Sequence, residues 1–95
     1  MEPRDICRFV ALIEAIDVEA DPGQYLQGDL VDDDINGELE TLASGAFITD
    51  EGRCNATNMA FFTKQTGWRI GPGEQDSFGW LTGVIYTPKG MFVYG

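Results

Sequence analysis

The sequence predicts an α+β protein in which two N-terminal helices pack on a C-terminal antiparallel sheet of about four to five strands. Three observations lead to this fold class. Apolar residues recur at helical spacing early in the chain, the later residues form short runs rich in aromatic and β-branched side chains, and a turn motif separates the last two runs. A chain of 95 residues has room for one modest core, so we expect a single domain over 1–95. Its acidic helical half is 1–45, and its aromatic-rich strand half is 46–95.

The first helix is predicted over residues 3–18. Pro3 suits the first turn of a helix because its missing N–H has no partner there in any case. Apolar residues follow at spacings of three and four, which gives the helix one apolar face: Ile6, Phe9, Val10, Ile13 and Ile16. We expect this face to pack in the core.

The start of the second helix has two interpretations. Asp21-Pro22-Gly23-Gln24 has the residues of a helix N-terminus, with a tight turn as the alternative. Gly28 is expected to break the segment before Asp29, and Ser44-Gly45 is expected to end the helix. Between them, the apolar residues again fall at helical spacing: Val31, Ile35, Leu39 and Leu42.

Strands are predicted from Ala46 onward. The candidate runs are Ala46–Thr49, Met59–Thr63, Trp68–Ile70, Phe78–Tyr86 and Met91–Tyr94. Thr87-Pro88-Lys89-Gly90 has proline at the second position and glycine at the fourth, which predicts a tight turn between the last two strands. Gly71-Pro72-Gly73 indicates a loop, and Gly79 and Gly83 indicate a bend or bulge in the long run.

The charge of the chain is strongly negative and unevenly distributed. The formal net charge is −10; residues 1–51 contain fourteen acidic and two basic side chains, whereas residues 52–95 contain two acidic and four basic. Nucleic acids and anionic membranes bind through basic side chains, so we expect neither as a direct partner. A basic protein surface is the expected complement, in particular that of a nucleic-acid-binding protein or complex.

An acidic stripe is the candidate partner-binding site. On a helix, four carboxylates of the second segment fall on one stripe, Asp29, Asp32, Asp33 and Glu40, and Asp34 and Glu38 lie beside it. The alternative is a solvated face that serves only solubility. Trp68 and Trp80 are added as candidate contact residues, since they could face outward beside Lys64, Arg69 and Lys89, and tryptophan is enriched among interface hot spots.

Residues that carry catalysis are scarce. The chain has no histidine, and its two cysteines, Cys7 and Cys54, are too far apart in sequence for a Cys-x-x-Cys zinc motif. We therefore expect no enzymatic activity, no catalytic residue and no cofactor. The N-terminus lacks a secretory pattern, so we expect a cytoplasmic chain with reduced cysteines, although Cys7 and Cys54 could pair.

One acidic segment resembles a calcium loop. Asp32-Asp33-Asp34-Ile35-Asn36-Gly37-Glu38-Leu39 is similar to the first eight positions of an EF-hand loop, which would extend over 32–43. The candidate calcium ligands are Asp32, Asp34, Asn36 and Glu38. The twelfth position, where the family has a bidentate glutamate, is Ala43. A calcium loop and a regular helix exclude each other here.

At the level of size, acidity and lack of catalytic residues, the chain resembles the small phage-encoded anti-CRISPR inhibitors, some of which mimic nucleic acids. It is also similar in these respects to bacterial immunity proteins against nuclease toxins. No motif supports this resemblance. It implies a small acidic inhibitor that blocks a basic partner in the bacterial cytoplasm. The alternatives are a structural or scaffold module, such as a phage particle or complex subunit, and a calcium-binding module.

Overall fold

The structure is a computed structural model that describes residues 2–21, 23–75 and 81–95. It contains the helices α1 (Pro3–Glu14), α2 (Asp33–Phe47) and α3 (Ala56–Thr66), and the strands β1 (Arg69–Gln75), β2 (Leu81–Thr87) and β3 (Gly90–Tyr94). A 3-10 turn at Gly28–Leu30 precedes α2. The α+β class is confirmed. Within the described residues, however, three helices precede a sheet of three strands, so the prediction of two helices and four to five strands is wrong.

Helix α1 has the predicted start and a shorter extent. Pro3 occupies the first turn, and the Glu2 backbone N–H donates to the Asp5 carboxylate. The helix ends at Glu14 rather than near residue 18. Acidic residues are unfavourable beyond a helix C-terminus, where the dipole is negative, and Asp17 and Glu19 follow directly. Ile16 still reaches the core, because its backbone N–H turns back to the Ile13 carbonyl.

Helix α2 begins and ends later than predicted. Asp21 makes the hydrogen bonds of the alternative tight turn: its carboxylate accepts from the Gly23 N–H at 2.9 Å, and its carbonyl accepts from the Gln24 N–H at 3.0 Å. Pro22 lies outside the described residues. The 3-10 turn begins at Gly28, whose φ of 64° explains the break there. At its other end the helix continues through Gly45, because Ala46 and Phe47 fall on its buried face. The predicted strand Ala46–Thr49 is therefore wrong.

Helix α3 replaces the predicted strand Met59–Thr63. The Asn55 side chain caps its N-terminus by accepting from the Asn58 N–H at 3.2 Å, and Gly67, with a φ of 74°, ends it. Phe62 is the fully buried residue of this helix. The aromatic run that suggested a strand thus supplies one deeply buried ring from a helix.

The sheet is antiparallel, with the order β1-β2-β3. The predicted turn is confirmed: Thr87 pairs with Gly90, and the Thr87 hydroxyl donates to the Gly90 carbonyl at 2.8 Å. Gly71-Pro72-Gly73 lies inside β1, so the predicted loop is wrong there. The register of β1 against β2 shifts between Pro72, which pairs with Gly83, and Gln75, which pairs with Leu81. The irregularity expected at Gly83 therefore lies next to that residue. Gly79, and Phe78 at the start of the long run, lie outside the described residues.

A short extended segment covers the outer edge of β3. Tyr25 forms a parallel bridge with Met91, in which the Leu26 N–H donates to the Met91 carbonyl at 2.7 Å. The Gln27 side chain continues this pattern by donating to the Val93 carbonyl at 2.6 Å. The edge strand therefore has partners for backbone groups that would otherwise be free to pair with another chain.

Four phenylalanines join the helices to the sheet. Phe9 of α1 makes edge-to-face contacts with Phe62 of α3 and Phe92 of β3, at centroid distances of 5.7 and 5.9 Å. Phe47 of α2 contacts Phe62 at 5.2 Å. All four rings are fully buried. Each pair of this kind contributes about 0.5–1.5 kcal/mol beyond the area it buries.

Tyr94 closes one side of this core. Its ring packs against Phe47 at a centroid distance of 5.7 Å and lies directly over Gly83 of the neighbouring strand. Burial raises the pKa of the Tyr94 hydroxyl to about 12, and the charge of the Cys54 thiolate adds to this effect. Gly83 is required here because a Cβ would overlap the tyrosine ring.

Replacing Gly83 with alanine should therefore destabilise the protein. We expect Gly83→Ala to lower the free energy of unfolding by about 1–3 kcal/mol, because the added methyl displaces the Tyr94 ring. The matched control is Gly45→Ala on α2, where nothing lies near a new Cβ. There the substitution should raise stability by up to about 1 kcal/mol. Urea denaturation measures both, and equal stability of Gly83→Ala and the wild type would contradict the packing described.

Candidate functional site

The N-terminal end of α2 presents three adjacent carboxylates. Asp32 is the N-cap residue, and its side chain accepts from the Asp34 N–H at 2.9 Å. Asp33 and Asp34 form the first helical turn, and all three residues are exposed. We call Asp32, Asp33 and Asp34 the α2 acidic cluster. Its charges also interact favourably with the positive end of the helix dipole, so the cluster has a structural role.

Glu38 lies on the same helix but does not belong to this cluster, because it forms an ion pair with Arg8. Its carboxylate accepts two hydrogen bonds from the Arg8 guanidinium of α1, at 2.7 and 2.9 Å. This contact lowers the pKa of Glu38, and both side chains remain largely exposed. Within the described residues it is the only ion pair. Glu38 thus tethers α2 to α1 and is not free for a partner in this conformation.

The other members of the predicted stripe do not form one continuous surface with the cluster. Glu40 is half-buried on α2, and Asp29 lies in the 3-10 turn that precedes the helix. The structure does not describe the Asp29 side chain. Of the predicted stripe of four carboxylates and the two beside it, the three exposed residues of the α2 acidic cluster therefore remain together, with Asp29 close to them in sequence.

The segment that resembles a calcium loop is helical. Residues 33–47 form regular helix, whereas an EF-hand requires an irregular loop over 32–43. The Asn36 side-chain oxygen, one of the four predicted ligands, is buried and lacks a hydrogen-bond partner, and Asp32 is used as a helix cap. In the described part of the chain, no group of three acidic, cysteine or histidine residues is placed to hold a metal ion. As folded here, the segment is not an EF-hand loop.

Trp68 lies in the wall of a groove and not on an open surface. It is half-buried, and its ring contacts Phe62 at a centroid distance of 6.1 Å. The groove, of about 460 Å³, runs between α1 and the end of α3 and is lined mainly by apolar side chains, including Ile6 and Val10. Glu14 supplies its one charged wall residue among those described. Trp80, the second predicted contact residue, lies outside the described residues.

The basic residues that suggested a weakly basic surface have other roles. The Arg69 guanidinium stacks over the Tyr86 ring at 4.8 Å, and the Lys89 ammonium donates to the Ile16 carbonyl at 3.2 Å. Lys64 lies exposed in the last turn of α3. Cys7 and Cys54 are both free thiols in exposed positions, so they do not pair.

A second surface was not anticipated from the sequence. Among the described residues, the side of the sheet that faces away from the helices carries mainly apolar side chains, and we call it the outer sheet face: Tyr25, Arg69, Val84, Tyr86, Met91 and Val93. Tyr25 and Tyr86 are 58% and 39% exposed. The alternation of side chains along a strand predicts that Val84 and Tyr86 share one side of the sheet, and likewise Met91 and Val93. The sequence could not show which side the helices cover.

Comparison with protein-family models, with curated proteins and with solved structures finds no match for this chain. None of the helices in the described residues has the length and apolar content needed to span a bilayer.

Removing the helix cap tests the structural role of Asp32 separately from its charge. Asp32→Ala should lower the free energy of unfolding by about 1 kcal/mol, because the Asp34 N–H loses its acceptor. Asp32→Asn removes the same charge but keeps an acceptor, so its stability should stay within a few tenths of a kcal/mol of the wild type. Thermal or urea unfolding distinguishes them; equal losses would show that charge, and not capping, matters there.

The Arg8–Glu38 pair should make stability depend on pH in the acid range. The folded state holds the pKa of Glu38 below its ordinary value of 4.5, so the stabilisation is present above pH 4.5 and is lost as the pH falls below it. Glu38→Gln should reduce this loss between about pH 5 and 3. The control is Glu51→Gln, at an exposed turn residue. Unfolding curves at several pH values measure the effect, and identical slopes for wild type and Glu38→Gln would contradict it.

Proposed function

We propose that this protein is an inhibitor that binds a basic protein surface through the α2 acidic cluster, and that the surface is one with which its partner holds nucleic acid. The observation that supports the proposal is that no basic side chain neutralises the negative charge of the cluster. The described residues offer no basic side chain paired with Asp32, Asp33 or Asp34, while the charge of the whole chain is −10.

The density of the cluster supports nucleic-acid mimicry. Asp32, Asp33 and Asp34 lie within one turn of helix, about 5.4 Å of axis. Duplex DNA carries one phosphate charge about every 1.7 Å of its axis when both strands are counted. The cluster therefore presents carboxylates at a linear density similar to that of the phosphates, on a rigid element. A groove that is shaped and charged for a phosphate backbone is a suitable complement.

The cost of keeping this charge together supports a role beyond solubility. Like charges on adjacent residues repel each other, and the helix dipole and the cap made by Asp32 offset only part of this repulsion. Acidic residues dispersed over the surface would give the same solubility with less repulsion. Concentrated charge, by contrast, raises association rates with an oppositely charged surface and selects among partners.

Neutralising two carboxylates of the cluster tests the proposal. The chain would be immobilised and exposed to an extract of the organism that encodes it, and the captured protein would then be measured by titration. We expect Asp33→Asn with Asp34→Asn to weaken binding by about two- to fivefold per carboxylate and to reduce the salt dependence of binding. The matched control is Asp50→Asn with Glu51→Gln, which removes the same charge from the exposed turn between α2 and α3.

Two further results decide the proposal. Duplex or single-stranded nucleic acid should compete with the chain for the captured protein. If affinity is independent of salt, or if both double variants weaken it equally, the α2 acidic cluster is not the docking surface. If nucleic acid and the chain bind the captured protein together, mimicry is wrong.

A subunit of a larger assembly is the second candidate function. It is favoured by the outer sheet face, which is apolar and uncovered in the described structure. Surfaces of this kind mark sites of protein association.

A further inference from the structure

The groove between α1 and the end of α3, which we call the α1–α3 groove, has the size of a ligand site. Its volume of about 460 Å³ is within the range of small-molecule sites, which is about 300–1,000 Å³. Ile6 in its wall is buried, and Val10 and Trp68 pack against the core. The apolar part of the groove is therefore formed by well-packed elements and not by loops.

The Trp68 wall of the groove is fixed by the end of α3. The Thr66 hydroxyl donates to the Phe62 carbonyl at 2.8 Å and accepts from the Trp68 N–H at 3.0 Å. The Trp68 ring in turn packs against the Phe62 ring, which is fully buried. Because the Thr66 hydroxyl already has partners within the chain, this wall offers a ligand mainly the apolar surface of the indole.

The opposite wall is a row of side chains along α1. Pro3, Cys7, Val10 and Glu14 follow one another at spacings of four, three and four residues, so they lie on one face of the helix. The row is about 16 Å long, at 1.5 Å per residue. Glu14 stands at its C-terminal end, and none of the other described wall residues is charged. The groove thus combines an apolar length with a carboxylate at one end.

We propose that the α1–α3 groove binds a small amphipathic amine, with its ammonium group at Glu14 and its apolar body between Val10 and Trp68. The charge of the site selects this class of ligand. In the described part of the chain, Glu14 forms no ion pair, so its carboxylate is available to a cation. An anionic amphiphile would bring its charge against this carboxylate, in a chain whose net charge is −10.

The exposure of Glu14 sets the size of the expected preference. A neutral amphiphile of the same length would make the same apolar contacts and lack only the attraction to the carboxylate. Because Glu14 is exposed, this attraction is partly screened by water, and the amine should bind about two- to fivefold more tightly than the neutral ligand. For a ligand as small as octylammonium, we expect a dissociation constant on the order of 1–10 mM.

Titration of the full chain with octylammonium, followed by two-dimensional NMR, tests the proposal. Octanol and octanoate are the matched probes, since they have the same apolar body with a neutral and a negative head group. Octylammonium should shift the side-chain signals of Val10 and Trp68, and its methylene beside the nitrogen should show a nuclear Overhauser effect to Glu14. Octanol should bind more weakly, and octanoate most weakly of the three. These residues lie outside the α2 acidic cluster, so this proposal and docking on a basic partner fail separately.

Substitutions of Glu14 identify the charge that selects the ligand. Glu14→Gln should abolish the preference for octylammonium over octanol, and Glu14→Lys should reverse it in favour of octanoate. The controls are Glu19→Gln and Glu19→Lys, which change the net charge equally at an exposed residue beyond α1 and should keep the wild-type preference. The NMR spectra establish that each variant is folded. Equal binding of the three probes, an equal effect of the Glu19 variants, or no shift at Val10 and Trp68 would overturn the proposal.

Discussion

The ring of Phe62 lies between Phe9 of α1 and Phe47 of α2, and Phe9 in turn contacts Phe92 of β3. This chain of edge-to-face contacts is the element that joins all three helices to the sheet. Because protein cores are close-packed, the positions of these rings also fix the faces that the helices turn outward. The exposed end of α2 and the uncovered side of the sheet are both consequences of which rings point inward.

Local chemistry made part of this fold predictable. The apolar spacing of α1 and the turn at Pro88-Lys89 depend on neighbouring residues, and both were predicted correctly. Helix α3 was missed because its aromatic run satisfies strand propensity, although Asn55 and Gly67 carried the capping signal. The end of α2 was missed because Gly45 usually stops a helix, whereas burial of Phe47 extends this one. Tertiary packing overrode propensity in both cases.

In the candidate site, too, the sequence predicted some features, whereas others depend on the fold. Sequence alone located the exposed carboxylates of Asp32, Asp33 and Asp34, since charge is visible without a fold. It could not show that Glu38 pairs with Arg8, thirty residues earlier, or that Trp68 packs against Phe62. Nor could it separate the two sides of the sheet. The structure therefore narrows the predicted carboxylate stripe to one end of α2 and adds a second candidate surface, the outer sheet face.

The proposed docking on a basic partner depends on the concentration of negative charge at the α2 acidic cluster. Paramagnetic relaxation of backbone amides by a cationic and an anionic cosolute measures the electrostatic potential near each residue of the free protein. Amides of Asp33, Asp34 and Gly37 should show strongly negative potentials, whereas those of Val84, Tyr86 and Met91 should show potentials near zero or positive. A potential that is equally negative on both sets would contradict the account.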